Sequence, residues 1–428
     1  MDKLKNRALL GFYENELCNN ILPFWLDKSI DKENGGFFNC FDNKGIKLLS
    51  RDKYTWSQGR FVWLWSKLAM TDCGTFTKAQ KSKFMDLAKS GRDFLFEHCL
   101  IAPGDFRCVY VMDETGRHKL LPGYDRYDLS ISADNFVICG FAKYAEASGD
   151  IETYEFCKNL YKSYLERVNS GNYPSLPYPL PPNYTTHSRL MGISNLTREM
   201  HFAARILDPG YCPELRDILK EANDGILDHF VDENKNLREY VYSDFSYDEN
   251  LLCNHMNPGH IIEDMWFMIG AGELLGNDRY IKEACAITLR ALQAGWDNEY
   301  GGILHFCGIN GGKPGGSTEG IANEHMTKLV LNSWDDKLWW IHSEALYTTL
   351  LCYEKTGDEK FLEWHDKIFD YTFSFFPNPD RETREWLQIL TRDGKPQEKV
   401  VALLVKDPFH ITRNLILIIE LLYSMLEK

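Results

Sequence analysis

The chain has 428 residues, of which 44% are hydrophobic and 14% aromatic, and its net charge is -14. This composition allows a large buried core, and the acidic balance argues against nucleic acid or an anionic membrane as a partner. The 12 cysteines form no C-x-x-C pair and no apolar run approaches the ~18 residues of a membrane span, so we expect a reduced, soluble, cytoplasmic protein.

Apolar residues at helical spacing run through the whole chain. The first such pattern covers residues 4–29 and is followed by a glycine turn, DKENGG at 31–36, which returns as DNEYGG at 297–302. A glycine followed by Asp or Asn ends one helical pattern and begins the next in three further places. These are residues 148–150, 275–278 and 356–358. Such boundaries, when they recur, predict stacked helical hairpins.

The repeats continue without a Ser/Pro-rich or charged linker, which predicts one catalytic domain over residues 1–428. The proline cluster at 174–182 also carries tyrosines, so we interpret it as an ordered surface loop. Strand-like stretches at 106–112 and 302–306 are expected to form short hairpins at helix ends. Because strands and helices do not alternate, the predicted fold is all-α, a toroid of paired helices with short β-hairpins in its loops.

In such a toroid the pocket is lined by the loops at one end and by the starts of the inner helices. Five stretches fit that position because polar and aromatic groups precede or open an apolar helix. They are YTWSQGR at 54–60, TREMH at 197–201, NPGHIIEDMWF at 257–267, KLWWIHSEA at 337–345 and KDPFHITR at 406–413. A lone histidine is usually a core or surface residue, but four of these stretches contain one. The four are His201, His260, His342 and His410.

Two pairs within these stretches have the spacing of a sugar site. His260 and Glu263 lie three residues apart on a predicted first helical turn, where the carboxylate could orient the imidazole. A capping carboxylate beside a surface histidine is the alternative. Trp56 and Arg60, four residues apart, would place an aromatic plate beside a planar donor, which suits a sugar ring and its hydroxyls. A core tryptophan with an arginine reaching solvent is the alternative there.

These stretches resemble the N-acylglucosamine 2-epimerase superfamily, and the similarity runs in order over nearly the entire chain. It includes residues 54–60, 257–267, 297–302 and 337–345 and the closing segment 371–395. The resemblance implies an (α/α)6 barrel that epimerises reducing sugars at C2, or isomerises aldoses and ketoses, without a metal.

The resemblance also implies that His260 and His410 form the acid/base pair, and His201 looks like the third histidine of cellobiose 2-epimerases and sugar isomerases. The chain departs from the family pattern at Thr412, where proline is usual, at 400–405, which replaces a Gly-rich run, and at Pro408, which replaces a cysteine of mammalian-type enzymes. Substrate contacts from the 400–405 loop and nucleotide dependence are therefore not carried over.

Epimerisation removes the C2 proton of the open-chain sugar, forms a cis-enediolate and returns a proton to the opposite face, so two bases must flank C2. Histidine suits both roles because its ordinary pKa is about 6.5. We assign them to His260 and His410, with Glu263 orienting His260. Arg60 is expected to stabilise negative charge at O1 or O2, and His201 to assist ring opening. The expected substrate-binding residues are Tyr54, Trp56, Gln58, Trp339, Trp340, His342, Glu344 and Arg413; of the two adjacent tryptophans, at least one is expected to be core.

The expected function is interconversion of N-acylglucosamine and N-acylmannosamine. A cellobiose- or mannose-type 2-epimerase or an aldose–ketose isomerase is the first alternative. The second is an (α/α)6 glycoside hydrolase, with Asp134 and Asp264 as its carboxylates. A sugar-binding protein without catalysis is the third, and retention of both histidines speaks against it. The expected partner is a small sugar, with no nucleic acid, membrane, metal or required cofactor, and a homodimer is possible because dimers are common in the resembled family.

Overall fold

The computed structural model describes Met1 and residues 3–427. Helices dominate the described part of the chain. They are α1 Lys3–Asn15, α2 Leu22–Lys28, α3 Thr55–Met70, α4 Lys78–His98, α5 Ile131–Ser148, α6 Ile151–Ser170, α7 His187–Leu207, α8 Cys212–His229, α9 Pro258–Leu275, α10 Asp278–Gly295, α11 His325–Ser333, α12 Trp339–Thr356, α13 Lys360–Phe375 and α14 Phe409–Glu427.

Six helices form an inner ring in the order α3, α5, α7, α9, α12 and α14, and α14 packs back against α3 to close it. Each inner helix packs against an outer one: α4, α6, α8, α10, α13 and α1 in the same order. The predicted (α/α)6 barrel is therefore the observed fold. Among the described residues, α14 is the one helix long and apolar enough to span a membrane, and 61% of that stretch is buried, as expected of an inner helix.

The predicted Gly-Asp and Gly-Asn boundaries join inner to outer helices. Gly149 ends α5 with φ +75°, and Asp150 then accepts a hydrogen bond from the backbone N–H of Glu152 at 3.0 Å to cap α6. Gly276 and Gly357 end α9 and α12 in the same left-handed conformation. The local signal was sufficient here because each cap is made by neighbouring residues.

The predicted first helix has the expected extent but not a uniform geometry. Residues Glu16–Ile21 form a π-helical turn between α1 and α2. Within this turn the buried Glu16 carboxylate accepts a hydrogen bond from Trp386 Nε1 at 2.6 Å. Trp386 is 370 residues away in the sequence, so the helical periodicity of residues 4–29 could not predict this contact.

The strands form five two-stranded antiparallel sheets. They are β1 Lys53–Tyr54 with β4 Val111–Met112, β2 Leu100–Ala102 with β3 Asp105–Cys108, β5 Tyr184–Thr186 with β6 Tyr240–Tyr242, β7 His255–Met256 with β8 Cys307–Gly308, and β9 Lys337–Leu338 with β10 Ile389–Leu390. Strands β1, β5, β7 and β9 lead into α3, α7, α9 and α12. A strand that ends where a helix begins fixes the start of that helix, so four inner helices begin at defined places at the same end of the ring.

The two predicted hairpins are only partly correct. Residues 105–108 pair with β2 as a hairpin, whereas Val111–Met112 pairs with β1 instead. Residues 302–306 form no extended strand. Ile303 makes a single antiparallel bridge with Trp296, but its N–H donates to His342 Nε2 at 2.9 Å, and His305 N–H donates to the Asp336 carbonyl at 3.1 Å.

The repeated glycine turn has a structural role at two inner helices. Lys53 Nζ donates to Asp31 Oδ2 at 2.7 Å and to the Gly35 carbonyl at 2.6 Å. Lys337 Nζ makes the equivalent bonds to Asp297 Oδ2 at 3.0 Å and to the Gly301 carbonyl at 2.7 Å. Each buried lysine ties a turn of the DxxxGG type to the start of α3 or α12, so both helices begin in a braced position.

Candidate active site

A cavity of about 500 Å³ lies at the end of the ring where the inner helices begin. Eight of the thirteen residues predicted for the site line it. These are Trp56, Arg60, His260, Glu263, Trp339, Trp340, His410 and Arg413. They come from α3, α9, α12 and α14, or directly precede them, so the ring brings together segments that are distant in sequence.

His260 and His410 lie on either side of Trp340 in this cavity. The ring centroid of Trp340 is 5.5 Å from that of His260 and 5.3 Å from that of His410. His260 is in the first turn of α9, where Asn257 Oδ1 accepts its backbone N–H at 3.2 Å, and His410 is the second residue of α14. Both imidazoles therefore line one cavity from the two helices that flank α12 in the ring.

The carboxylate that orients His260 is Glu239, so the prediction of Glu263 is wrong. Glu239 Oε1 lies 3.0 Å from His260 Nδ1 and accepts a hydrogen bond from it. Burial lowers the pKa of His260, but the negative charge of Glu239 outweighs it and the net shift is upward. Although burial opposes ionisation, His260 and His187 hold the pKa of Glu239 well below its usual range. His260 is therefore suited to carry a proton near neutral pH.

A second histidine extends this network away from the cavity. His187 Nε2 lies 2.8 Å from Asp264 Oδ2, and His187 Nδ1 lies 3.8 Å from Glu239 Oε2. Burial opposes a charge on His187, but the two carboxylates raise its pKa to about 9. The positive charge of His187 thus stabilises the ionised form of Glu239, the carboxylate that contacts His260.

The pKa of His410 is shifted in the opposite direction from that of His260. Burial lowers its pKa to about 3, and the nearby Arg60 and Arg413 add to this against the pull of Glu263. Its Nδ1 lies 2.7 Å from Glu344 Oε1, and its Nε2 lies 3.2 Å from Arg60 Nη2. The neutral tautomer that fits both contacts donates from Nδ1 and keeps the Nε2 lone pair towards Arg60 and the cavity.

Glu263 belongs to a buried charge cluster behind His410. The Arg413 guanidinium donates to Oε1 of both Glu263 and Glu344. Trp266 Nε1 donates to the other oxygen of Glu344 at 2.8 Å. Glu344 therefore contacts His410 rather than the cavity, although it was predicted to bind substrate.

This cluster also has the composition of a cation site. Ligand atoms of Glu263, Glu344 and His410 lie within 4.8 Å of one another. Arg413 already donates to both carboxylates, so its guanidinium supplies the positive charge that such a cluster requires.

Arg60 is held by a carboxylate and an aromatic surface. It forms an ion pair with Asp407, and its guanidinium carbon lies 4.1 Å from the ring centroid of Phe136 and 5.0 Å from that of Trp56. Trp56 stacks on Phe136 at 5.3 Å with an interplanar angle of 16°. The predicted Trp56–Arg60 pair thus exists, but Phe136 covers part of the indole.

Besides Glu344, three predicted substrate-binding residues do not line the cavity. Tyr54 packs edge-on against Tyr110 at 5.6 Å, in the small apolar cluster that contains Val111 and Leu129. Gln58 bonds the backbone N–H and carbonyl of Phe37, each at 2.8 Å. His342 accepts from Ile303 N–H and donates from Nδ1 to the Leu338 carbonyl at 2.7 Å. Gln58 and His342 hold the loops that follow the two glycine turns.

His201 is also outside the cavity, so its prediction as the third site histidine is wrong. It was placed at a helix start, but α7 begins at His187, and residue 201 is in the second half of that helix. Burial and the charges of Arg216 and Arg205 lower its pKa.

The two adjacent tryptophans and the 400–405 segment also differ from expectation. Trp339 and Trp340 both line the cavity, so neither is purely core. Residues 400–405, whose substrate contacts were left open, also contribute to the cavity wall, as do Ser175 and Tyr178 of the proline-rich loop.

The carboxylates of the hydrolase alternative do not reach the cavity. Asp134 is buried against Arg167 at 2.6 Å, and Asp264 is buried against His187. Two carboxylates on either side of a glycosidic bond are required for hydrolysis, and these two are committed to structural ion pairs.

Several residues of the site were not predicted from the sequence. Asp407 had a usable signal, since an Asp-Pro pair before an apolar helix indicates a cap, and its Oδ1 accepts the Phe409 N–H at 2.9 Å. His187 follows Thr186, whose side chain caps α7, so it too could have been found at a helix start. Glu239 lies in a loop next to β6 and had no local signal.

Replacing Glu239 with Gln is expected to lower the pKa of His260, because the negative charge that raises it is removed. For the epimer that His410 deprotonates, His260 must be protonated, so activity is lost as pH rises through the pKa of His260. The alkaline limb of kcat/KM should therefore move to lower pH. The neutral-pH rate should fall about 10- to 100-fold, part of what a general acid contributes.

Glu249→Gln, at an exposed carboxylate bonded to Asn254, is the matched control and should leave the pH profile unchanged. An alkaline limb that stays in place in Glu239→Gln would show that Glu239 does not set the protonation of His260.

Comparisons with known proteins identify relatives over nearly the whole chain. The family model described as N-acylglucosamine 2-epimerase (GlcNAc 2-epimerase) matches residues 36–411. The chain is 28% identical over 415 residues to the N-acylglucosamine 2-epimerase of Bos taurus, covering 96% of this chain and 90% of that protein. It is 24% identical over 405 residues to the cellobiose 2-epimerase of Ruminococcus albus, covering 91% and 92%.

Solved structures share the fold. Cellobiose 2-epimerase from Bacillus thermoamylovorans matches with a TM-score of 0.75 at 20% identity, covering 97% of this chain and 99% of that one. A D-mannose isomerase matches with a TM-score of 0.70 at 16% identity, covering 96% and 97%. A family 76 mannosidase from Bacteroides thetaiotaomicron matches with a TM-score of 0.55 at 12% identity, covering 97% and 98%. Because proteins with the names of epimerases, isomerases and hydrolases share this barrel, the fold alone does not decide the chemistry.

Proposed function

The chain belongs to the N-acylglucosamine 2-epimerase family, and from this premise we propose that it interconverts an N-acylglucosamine and the corresponding N-acylmannosamine. The observation that carries the proposal is the pair of imidazoles around Trp340, with the pKa of His260 raised and that of His410 lowered. Opposite pKa shifts at two neighbouring groups suit one to act as acid and the other as base.

The proposed reaction begins with the open-chain aldehyde, in which C1 makes the C2 proton acidic. His410 Nε2 takes that proton from one face, and protonated His260 delivers one to the other face. The intermediate is an enediolate for a hexose and an acylamino enolate for an N-acylhexosamine. In the reverse direction the two histidines exchange roles, since each is left in the other state after turnover.

Arg60 is proposed to stabilise the negative charge that develops on the sugar oxygen. Its guanidinium contacts His410 Nε2 and is fixed by Asp407, so it lies next to the reacting proton without reorganisation. Trp339 and Trp340 supply apolar faces for the sugar. In this proposal Arg60 stabilises the charge of the intermediate, and the two tryptophans orient the sugar.

We further propose that the reaction requires no metal and no other cofactor, since Arg60 and Arg413 provide the positive charge at the site. Incubation with excess EDTA should leave kcat/KM unchanged, and added Mg²⁺ or Mn²⁺ should not raise it. A loss of activity that is reversed by one of these ions would instead assign the Glu263, Glu344 and His410 cluster to a metal.

The test of the function is proton NMR in D2O with five sugars: N-acetylglucosamine, N-acetylmannosamine, cellobiose, mannose and glucose. Deuterium at C2 together with accumulation of the epimer supports the proposal and identifies the preferred sugar. A ketose product would mean that the proton returns to C1 and would make the protein an isomerase. Samples without enzyme at the same pH control for spontaneous exchange, and absence of C2 exchange in every sugar would contradict the proposal.

The net charge of -14 supports a small sugar, rather than nucleic acid or an anionic membrane, as the partner of this site. A homodimer remains part of the proposal, to be measured as the molar mass in solution.

A further inference from the structure

A side crevice leaves the cavity on the wall opposite Trp340, where inner helices α5 and α7 meet outer helix α6. We name it the α6 crevice. It is formed by Ile131, Asn135, Tyr164, Val168, Met191 and Gly192. Ile131 and Asn135 lie one turn apart on α5, and Tyr164 and Val168 lie one turn apart on α6. The cavity therefore extends past the inner ring at this point.

The first of two polar groups in the crevice is the hydroxyl of Tyr164; the second is the amide of Asn135. Tyr164 is 3% exposed and lines the cavity, yet its hydroxyl makes no hydrogen bond with any residue in the described part of the chain. Burial raises its pKa above the ordinary value, so it remains a neutral O–H donor. A hydroxyl that reaches a cavity and has no protein partner is free to bond a ligand or water.

Gly192 brings the backbone of α7 close to this hydroxyl. A Cβ at position 192 would lie 3.0 Å from Tyr164 Oη and 3.7 Å from Asn135 Nδ2. The hydroxyl of Tyr164 and the amide of Asn135 thus lie at the same part of the cavity wall, beside Gly192. Two donors at one wall suit a carbonyl oxygen, which has two lone pairs.

The rest of the crevice is apolar. Ile131, Val168 and Met191 are all at most 9% exposed, and all three line the cavity. A hydroxyl substituent on a sugar would leave this surface unfilled. A carbonyl with a short alkyl chain would satisfy the donors and cover the apolar wall.

The crevice is linked to both catalytic candidates through one residue on each helix. Asn135 is adjacent to Phe136, which lies under the Arg60 guanidinium that contacts His410. On α7, His187 contacts the carboxylate partner of His260. The crevice and the two imidazoles therefore line one cavity.

We propose that the α6 crevice binds the 2-acylamino group of the substrate. The amide carbonyl accepts hydrogen bonds from Tyr164 Oη and Asn135 Nδ2, and the alkyl chain packs against Ile131, Val168 and Met191. This inference rests on the proposed epimerase function and assigns the residues that select an N-acylhexosamine over a hexose.

The first test is Tyr164→Phe, which removes the hydroxyl and keeps the ring. We expect kcat/KM for N-acetylglucosamine to fall about tenfold, mostly through KM, as for loss of one hydrogen bond. Tyr161→Phe is the matched control: it is on the same helix, buried, and bonded to Thr197 at 2.6 Å outside the cavity. It should lower the melting temperature without changing KM. An equal effect of both variants on KM, or no effect of Tyr164→Phe, would overturn the assignment.

The second test extends the acyl chain of the substrate. From N-acetyl- to N-propanoylglucosamine, kcat/KM should rise about fourfold, the value of one buried methylene. Val168→Phe should reverse this preference by filling the crevice. A preference for acetyl in the unmodified protein, or an unchanged preference in Val168→Phe, would contradict the inference.

Saturation-transfer NMR separates this subsite from the epimerase proposal. The acyl methyl should receive more saturation than the ring protons in the unmodified protein, and that excess should vanish in Tyr164→Phe. This result would support the subsite even if no sugar exchanged its C2 proton. Normal epimerisation with no excess at the methyl would overturn the subsite alone.

Discussion

Each histidine variant should exchange the C2 proton of only one epimer and should invert neither. In His260→Ala, His410 remains as a base, so the epimer whose C2–H faces His410 should exchange with D2O. No acid remains on the other face, so the configuration is retained. His410→Ala should show the same behaviour with the other epimer. Inversion should fall about 10²- to 10⁴-fold in both, the usual contribution of a general acid or base.

The measurement is proton NMR of each pure epimer in D2O, following loss of the C2–H signal and formation of the product separately. His201→Ala is the control, since His201 lies outside the cavity, and it should retain exchange and inversion of both epimers. If one variant lost exchange of both epimers while the other retained it, a single base would serve both faces and the two-base mechanism would be wrong.

The architecture was predictable because its signals are local and repeated. Gly149 with Asp150, and Gly276 with Asn277, set helix boundaries through bonds between neighbouring residues. The paired histidines were predictable for a different reason: the motifs around His260 and His410 resemble those of a known family. Helical periodicity alone would have predicted the fold but not the catalytic residues.

The partners of those histidines were not predictable, because they depend on long-range packing. Spacing along α9 placed Glu263 near His260, but Glu263 is drawn to Arg413, 150 residues later in the chain. Its place beside His260 is taken by Glu239, which precedes α9 and reaches the site from next to strand β6. The i, i+3 spacing rule considers only residues on the same helix, so it could not account for Arg413 or Glu239.

Gln58 and His342 show a second limit. Both are polar residues in the first turn of an inner helix, the position expected of a ligand contact. Instead Gln58 bonds the backbone of Phe37 and His342 accepts from that of Ile303, each directly after a DxxxGG turn. The turns leave backbone groups that need partners inside the protein, and these two side chains satisfy them. The repeated DxxxGG turn therefore explains why Gln58 and His342 are polar, but only after the structure shows that these side chains bond the backbone that follows each turn.

Arg413→Met should be the most destabilising of the site variants, at about 3–5 kcal/mol, because it leaves the buried Glu263 and Glu344 carboxylates without their shared cation. For a chain of this length that corresponds to a fall in Tm of about 3–6 °C. Arg279→Met is the control, since Arg279 lies on the surface, 57% exposed, with its nearest carboxylate, Asp228, at 3.7 Å. Its loss should change stability by less than about 0.5 kcal/mol.

Adding Glu263→Gln to Arg413→Met should recover part of the lost stability, since one unpaired carboxylate is then replaced by a neutral amide. Arg413 also lowers the pKa of His410, so its removal should raise that pKa. A base is active in its neutral form, so activity is lost as pH falls through its pKa, and the acid limb of kcat/KM should move to higher pH in Arg413→Met. Equal melting temperatures for Arg413→Met and Arg279→Met would show that Arg413 does not neutralise the cluster. In that case the positive charge at Glu263, Glu344 and His410 would have to come from a bound ion, and the chelation experiment would be expected to abolish activity.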